Sequence, residues 1–337
     1  MSSRRVNRDL TTESSAEELV RIGAGCCGSV WADMNSSKNN EVSSTCLKRE
    51  DGSLGRSLAN EHYIHQLVIQ AIDQNPQYAT SFRVPLCRGF INKYDDEDWS
   101  QVLPRLPPDS KACNALLSEK VQPVSDKARS LLVAKFARAK GNDQDAIVND
   151  KKNEHCLIRP YLGRRKQDWG STGRFFSLRN FPLHIDRMIE LGLDVESYTK
   201  VMAEGLAFLH WVARIDANDV EFVLAHPRPT SRPHSQFDTS ILGPHSMWII
   251  DFDCCDPITM DEEGIEAAAH SFWRNDPYYP RPGSDNYFNQ QLWTTFRVHF
   301  LHASEEIMRN EISSYIKQLP SLLMDKIVEM GIKRAIV

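Results

Sequence analysis

The chain has 337 residues, a formal net charge of −5, and 41% hydrophobic against 25% charged residues, enough to bury a two-lobed core or two ordinary domains. An acidic body suits neither nucleic-acid phosphates nor an anionic membrane, so neither is expected as a partner. No apolar run approaches the roughly 20 residues of a bilayer span, and the opening MSSRRVNRDLTTESSAEEL lacks a secretory core, which predicts a soluble, cytoplasmic protein.

The elements follow in chain order. Residues 1–16 are polar and aperiodic and predict a flexible arm. EELVRIGAGCCGSVWADM alternates around a glycine cluster and predicts strand, tight turn and strand; after a polar Asn/Ser/Lys hairpin, SSTCLKRE predicts a third strand. In SLANEHYIHQLVIQAIDQ, Ile64, Leu67, Val68, Ala71 and Ile72 share one helical face. FRVPLCRGFI and NALLSEKV read as further strands separated by a polar Asp/Pro-containing loop. Beyond residue 121, SDKARSLLVAKFARAK reads as helix, 141–154 as a surface insertion and HCLIRPYLG as a strand. A long helix opens at the N-cap Asp194 and carries Val195, Tyr198, Val201, Met202, Leu206 and Leu209 on one side. The last third is predominantly helical. A sheet-rich first third before a helix-rich remainder is an arrangement that holds a nucleotide between two lobes, with Glu119-Lys120-Val121 as the hinge.

The eight cysteines are scattered, with adjacent pairs at Cys26-Cys27 and Cys254-Cys255 and no C-x-x-C, which predicts reduced thiols in preference to a zinc site. His226, His234 and His245 share a Pro/Ser-rich stretch at wide spacing and are expected to be solvated loop residues.

Four motifs carry chemistry. Gly23-Ala24-Gly25-Cys26-Cys27-Gly28-Ser29-Val30 fits G-x-G-x-x-G-x-V, in which glycines let backbone approach phosphate and Val30 can cover an adenine face. The chain continues as strand and turn, where a dinucleotide fold would need a helix. Lys48 follows on a strand, and Glu61 opens the next helix as its carboxylate partner. After the long helix comes Asp216-Ala217-Asn218-Asp219-Val220-Glu221-Phe222-Val223-Leu224. Asp216 precedes Glu221 by the interval that separates a catalytic aspartate from a metal ligand, with Asp219 as a rival base. Met247-Trp248-Ile249-Ile250-Asp251-Phe252-Asp253 is an apolar strand delivering an Asp-Phe pair.

Together these motifs resemble the protein-kinase-like superfamily. NEHYIHQL, LSEKVQP, DANDVEFVL and IIDFD are similar to a group of fungal kinase-like domains sometimes labelled as zinc-finger proteins. The resemblance implies an α+β, bilobal protein-kinase-like fold, with a small antiparallel-sheet N-lobe (17–121) and a mainly helical C-lobe (122–337). It implies an ATP- and Mg²⁺- or Mn²⁺-dependent phosphotransferase acting on a small molecule. Gly23, Gly25, Gly28, Val30, Lys48, Glu119 and Val121 would hold the nucleotide, Lys48, Glu61 and Asp216 would serve catalysis, and Glu221 and Asp251 would bind metal. Arg214-Ile215 replace the usual His-Arg, Asn218 replaces a lysine, Glu221 replaces an amide, Asp253 replaces a glycine, and no A-P-E follows. A silent nucleotide-binding interaction module and a kinase-fold enzyme of other chemistry are the alternatives. Glu221 beside Asp251 predicts like-charge strain relieved by a divalent cation; the alternative is a structural pair with an arginine such as Arg214.

Overall fold

The computed structural model describes residues 18–33, 44–53, 55–138, 141–165, 176–228 and 236–336. The expected N-terminal arm, the hairpin at 34–43 and His234 lie outside the described residues. Among the described residues the fold is mixed α+β, with two five-stranded sheets and nine α-helices.

The first sheet contains β1 (Leu19–Ala24), β2 (Ser29–Asp33), β3 (Thr45–Arg49), β4 (Cys87–Ile91) and β5 (Ala115–Glu119) in the order β1-β2-β3-β5-β4. Every pairing in it is antiparallel. Helix α1 (Leu58–Gln74) begins where the Ser57 side chain accepts the Asn60 N–H, satisfying a donor that the first turn leaves unpaired. Ile64, Val68 and Ala71 turn inward, and Leu67 and Ile72 flank them, half-buried.

The stretch between β4 and β5, expected as a loop, contains helix α2 (Asp96–Val102). Asp95 caps it, three acidic residues fill its first turn, and Trp99 and Val102 bury against Trp31, Leu47 and Ala115 of the sheet. Its polar residues obscured an anchor of two apolar side chains.

Beyond residue 121 the chain adds α3 (Asp126–Phe136) and α4 (Asn142–Asn149). The tract 141–154 is therefore partly helical, and it contains the buried Asn153. That side chain donates to the Ile147 carbonyl and accepts the Leu178 N–H. The second sheet comprises β6 (Ile158–Tyr161), β7 (Phe181–His184), β8 (Glu221–Ala225), β9 (Phe237–Thr239) and β10 (Gly243–Ile250), ordered β7-β6-β8-β10-β9. The second half is thus built on a sheet as well as on helices. β6 pairs with β7 in parallel and with β8 antiparallel, so an early segment joins the strands that flank the acidic loops.

Helices α5 (Ile185–Glu190) and α6 (Val195–Trp211) follow β7, and Asp194 caps α6 by accepting the Ser197 N–H at 3.0 Å. The whole expected stripe of α6 is buried. Gly205 lets this helix approach β10 closely, since a Cβ there would lie 3.0 Å from Ile249 Cδ1. Helices α7 (Glu262–Arg274), α8 (Tyr287–Ile307) and α9 (Ser314–Ile336) complete the fold, with α6 packed on α8 and α7 on α9. No described helix is long and apolar enough to cross a membrane.

His245, expected to be solvated, is buried on β10, while His226 is exposed. The buried run of β10 extends from His245 through Ile249, so the strand carries His245 into the interior. Its Nδ1 lies 2.7 Å from the Gly243 carbonyl, which can only accept, so Nδ1 donates and Nε2 accepts from the Tyr198 hydroxyl, also 2.7 Å away. Tyr198→Phe would leave the buried Nε2 unpaired, and we expect a loss of about 1–3 kcal/mol. Urea denaturation of the two proteins measures it, and equal midpoints would contradict this account.

Candidate functional site

A cleft of about 460 Å³ lies between the first sheet and the loops beside β8 and β10. The β1–β2 turn closes when the Gly25 N–H donates to the Gly28 carbonyl at 2.8 Å. Gly52 and Ser53 then donate to the Cys27 and Cys26 carbonyls, and Asp51 accepts from the Ser29 backbone and hydroxyl. Gly23, Gly25 and Val30 line the cleft. Gly28 stands apart from it. A Cβ there would fall 2.0 Å from the Arg49 carbonyl oxygen, so this glycine serves the docking of the turn on residues 49–52.

Val30 pairs with Lys48 in the β2–β3 register, which aims the lysine into the cleft. Its Nζ lies 2.7 Å from Glu61 Oε2 on α1 and 2.6 Å from Asp251 Oδ1 after β10. Burial disfavours the ammonium, but the two carboxylates outweigh that penalty and hold its pKa well above the usual lysine value. One cation shared between two carboxylates leaves an excess of negative charge. Burial first, offset in part by Lys48 and reinforced by Asp251, pushes Glu61 up to about 7.

The acidic loops hold strained backbone. Arg214, Ala217, Asp219 and Asp251 all have positive φ, between 56° and 68°, a conformation that L-residues other than glycine rarely adopt. Asp216 is buried, and its carboxylate accepts from the Asn218 and Asp256 N–H groups and from the Ser271 hydroxyl. It stands off the cleft wall, whereas Asp219 lines it with a half-exposed side chain. The five-residue interval to Glu221 therefore places Asp216 behind the loop and Asp219 at its surface.

Glu221 opens β8 opposite Ile250. Its two oxygens both lie 2.5 Å from one guanidinium nitrogen of Arg159, on the neighbouring β6. The pair to Glu221 is Arg159, not Arg214. Burial pushes Glu221 up to about 7, with Arg159 opposing the shift and Asp251 adding to it. Arg56, just before α1, bridges Asp219 at 2.8 Å and Asp253 at 2.9 Å. Lys48, Arg159 and Arg56 thus meet the carboxylates of Glu61, Asp251, Glu221, Asp219 and Asp253.

At the expected hinge, Glu119, Lys120 and Val121 line the cleft. The Glu119 carboxylate is engaged by the Arg228 guanidinium and by the Leu86 N–H, and Arg228 also stacks over Trp248 at 5.3 Å. Glu119 and Lys120 donate their own N–H groups to the Leu86 and Ser44 carbonyls. The Glu119 side chain therefore ties the two halves together, and Val121 offers the apolar surface. Arg56, Arg159 and Arg228 carry no motif; their signal is spatial, through strand pairing and loop docking.

A family model described as "Zinc finger protein" matches residues 247–312, well under half of the chain. Among the described residues, the group of side chains that could converge on a metal is Asp219, Asp253 and Cys254, and Arg56 bridges it. The cysteines form no disulfide, and Cys255 donates to the Asn218 carbonyl. No curated protein matches the chain. Among solved structures, an aminoglycoside phosphotransferase from Alicyclobacillus acidocaldarius subsp. acidocaldarius DSM 446 aligns with 94% of this chain and 92% of its own. Its identity is 12% and its TM-score 0.19, a superposition too loose to define a shared fold.

Because the raised Glu61 keeps a proton that the unfolded chain releases near pH 4.5, its contribution to stability falls as pH rises from about 4.5 to about 7. Glu61→Gln removes this group, so its unfolding temperature should decline less between pH 5 and pH 7.5 than that of the wild type. Parallel thermal melts test the difference, and identical slopes would place the Glu61 pKa at its ordinary value.

Proposed function

We propose that the chain is an ATP-dependent phosphotransferase with a kinase-like, two-lobed arrangement, acting on a small-molecule acceptor in the cytoplasm. The observation that carries this reading is Lys48, held between Glu61 and Asp251 beside a glycine turn. Such a lysine is pre-aimed for anionic oxygens, because the same carboxylates that fix its position keep it charged.

In this reading Gly23 and Gly25 bring backbone close to the phosphates, Val30 and Val121 cover the base, and Lys48 donates to phosphate oxygens. Asp219 orients the acceptor hydroxyl and takes its proton, the role first expected of Asp216. Asp216 acts as a positioning residue, because its carboxylate binds the backbone on both sides of the loop. The oxygen donors of Asp251 suit a hard divalent ion, and Asp251 is still one-third exposed after pairing with Lys48. Mg²⁺ or Mn²⁺ bound there would neutralise phosphate charge. Glu221 fits that role less well, since Arg159 already supplies its counter-charge.

That neutralisation favours a second reading, a nucleotide-binding interaction module without turnover. Thermal-shift titration with ATP, with and without Mg²⁺, followed by an ATPase assay, separates the two. A ligand at 100 times its Kd adds about 2.7 kcal/mol, and the absence of any shift with ATP would overturn both.

Lys48→Met should weaken ATP binding at least tenfold, about 1.4 kcal/mol, without unfolding the protein; wild-type affinity in the folded variant would remove Lys48 from the nucleotide site. Asp219→Asn should abolish turnover while ATP binding persists, because the group faces the acceptor. Full activity in that variant, measured by ADP release, would return the role to Asp216.

A further inference from the structure

At the outer end of β6 the Leu162 and Gly163 N–H groups donate to the Tyr278 and Pro277 carbonyls at 3.0 and 2.9 Å. Gly163 is required for this approach, since a Cβ would lie 2.3 Å from the Tyr279 carbonyl oxygen. Beside the clamp lies a second, open cavity of about 360 Å³, whose wall includes Gly163, Trp273, Arg281, Asn289 and Arg334.

Its charge is one-sided. Arg164 and Arg281 both pair with Asp276, Arg164 at 2.7 Å. Arg334 stacks over Trp273 at 5.1 Å and donates to the Trp273 carbonyl. Burial and the neighbouring Arg164 and Arg334 all lower the Arg281 pKa, so the three guanidiniums sit within each other's field. Arg165 stands nearby, donating to Asn289 at 2.9 Å. Among the described residues, Asp276 is the carboxylate paired with this cluster, so several arginines share one counter-charge around a concave space.

Asp276 connects this cluster to the acidic loop. Asn275, directly before Asp276, accepts the Asp219 N–H at 2.6 Å and donates to the Ala217 carbonyl at 2.8 Å. The arginines are thus linked to that loop through Asp276 and Asn275, while the Asp219 side chain itself lines the other cleft.

We infer that this cavity binds the oxyanion group, phosphate or carboxylate, of a small molecule. Guanidinium forks match such planar or tetrahedral oxyanions, and the shortage of counter-charge is relieved when one binds.

Calorimetric titration of the whole protein with inorganic phosphate and, separately, acetate tests the site and distinguishes the two anion sources. Saturable binding of at least one is expected, weakened on the order of tenfold in Arg281→Gln. Arg334→Gln, on the same cavity wall, should show the same direction if Arg281→Gln fails to fold. Lys48→Met should retain this binding, since its phosphate contacts belong to the other cleft. No saturable binding of either anion, unchanged affinity in the folded arginine variants, or loss confined to Lys48→Met would overturn the anion site. Whether ATP binds the wild type leaves this test untouched, and the arginine variants alone decide the anion site.

Discussion

The arrangement of the cleft depends on a single ammonium group. Lys48 joins a strand of the first sheet to helix α1 through Glu61 and to the end of β10 through Asp251. Removing one partner from such a buried cluster leaves an uncompensated charge, which costs more than the intact pair contributes. The same lysine that could hold an anionic ligand therefore also sets the position of α1 against the acidic loops. Ligand recognition and the relation of the two sheets are linked through it.

The cations around it follow a common pattern. Arg159 meets Glu221, Arg56 meets Asp219 and Asp253, and Arg228 meets Glu119. A cleft with so many acidic groups would repel an anionic ligand if they stood unpaired; paired, they form a lattice of alternating charge. Arg179 extends the ties at the far end by donating to the Ala24 carbonyl in the glycine turn. Each contact joins segments distant in sequence, so the cleft is held by tertiary pairing more than by any one loop.

That distance explains what the sequence disclosed. The first three strands, α1 and α6 were legible because their periodicity and capping residues are local. So were Lys48, Glu61 and Asp251, each of which ends or opens a recognisable element. That Asp216 stands off the cleft wall was not legible, because an interval of five residues fixes separation along the chain but not the direction a side chain takes through a loop with three left-handed residues, at 214, 217 and 219. Arg159 was invisible for another reason. It reaches Glu221, 62 residues away, only because β6 pairs with β8, and IRPY carries no signal of that partner. The burial of Trp99 in a polar stretch and of His245 beside a Pro/Ser-rich one depends likewise on the sheet surfaces they meet.

The Glu221–Arg159 pair bears on how charge is balanced in the cleft. An expected like-charge clash between Glu221 and Asp251 would have made an external cation the means of relief. With Arg159 beside Glu221 and Lys48 beside Asp251, positive charge already stands next to both carboxylates. A divalent ion then has to compete with guanidinium for Glu221 while Asp251 keeps an exposed edge, so the two carboxylates are not equivalent donors. The asymmetry has a structural origin: Asp251 ends its strand in a left-handed turn facing the cleft, whereas Glu221 sits within strand pairing and is met sideways by β6. A metal in this cleft would therefore lean on the β10 side, and Arg159 would supply from the β8 side the charge that a second ion provides in a more acidic site.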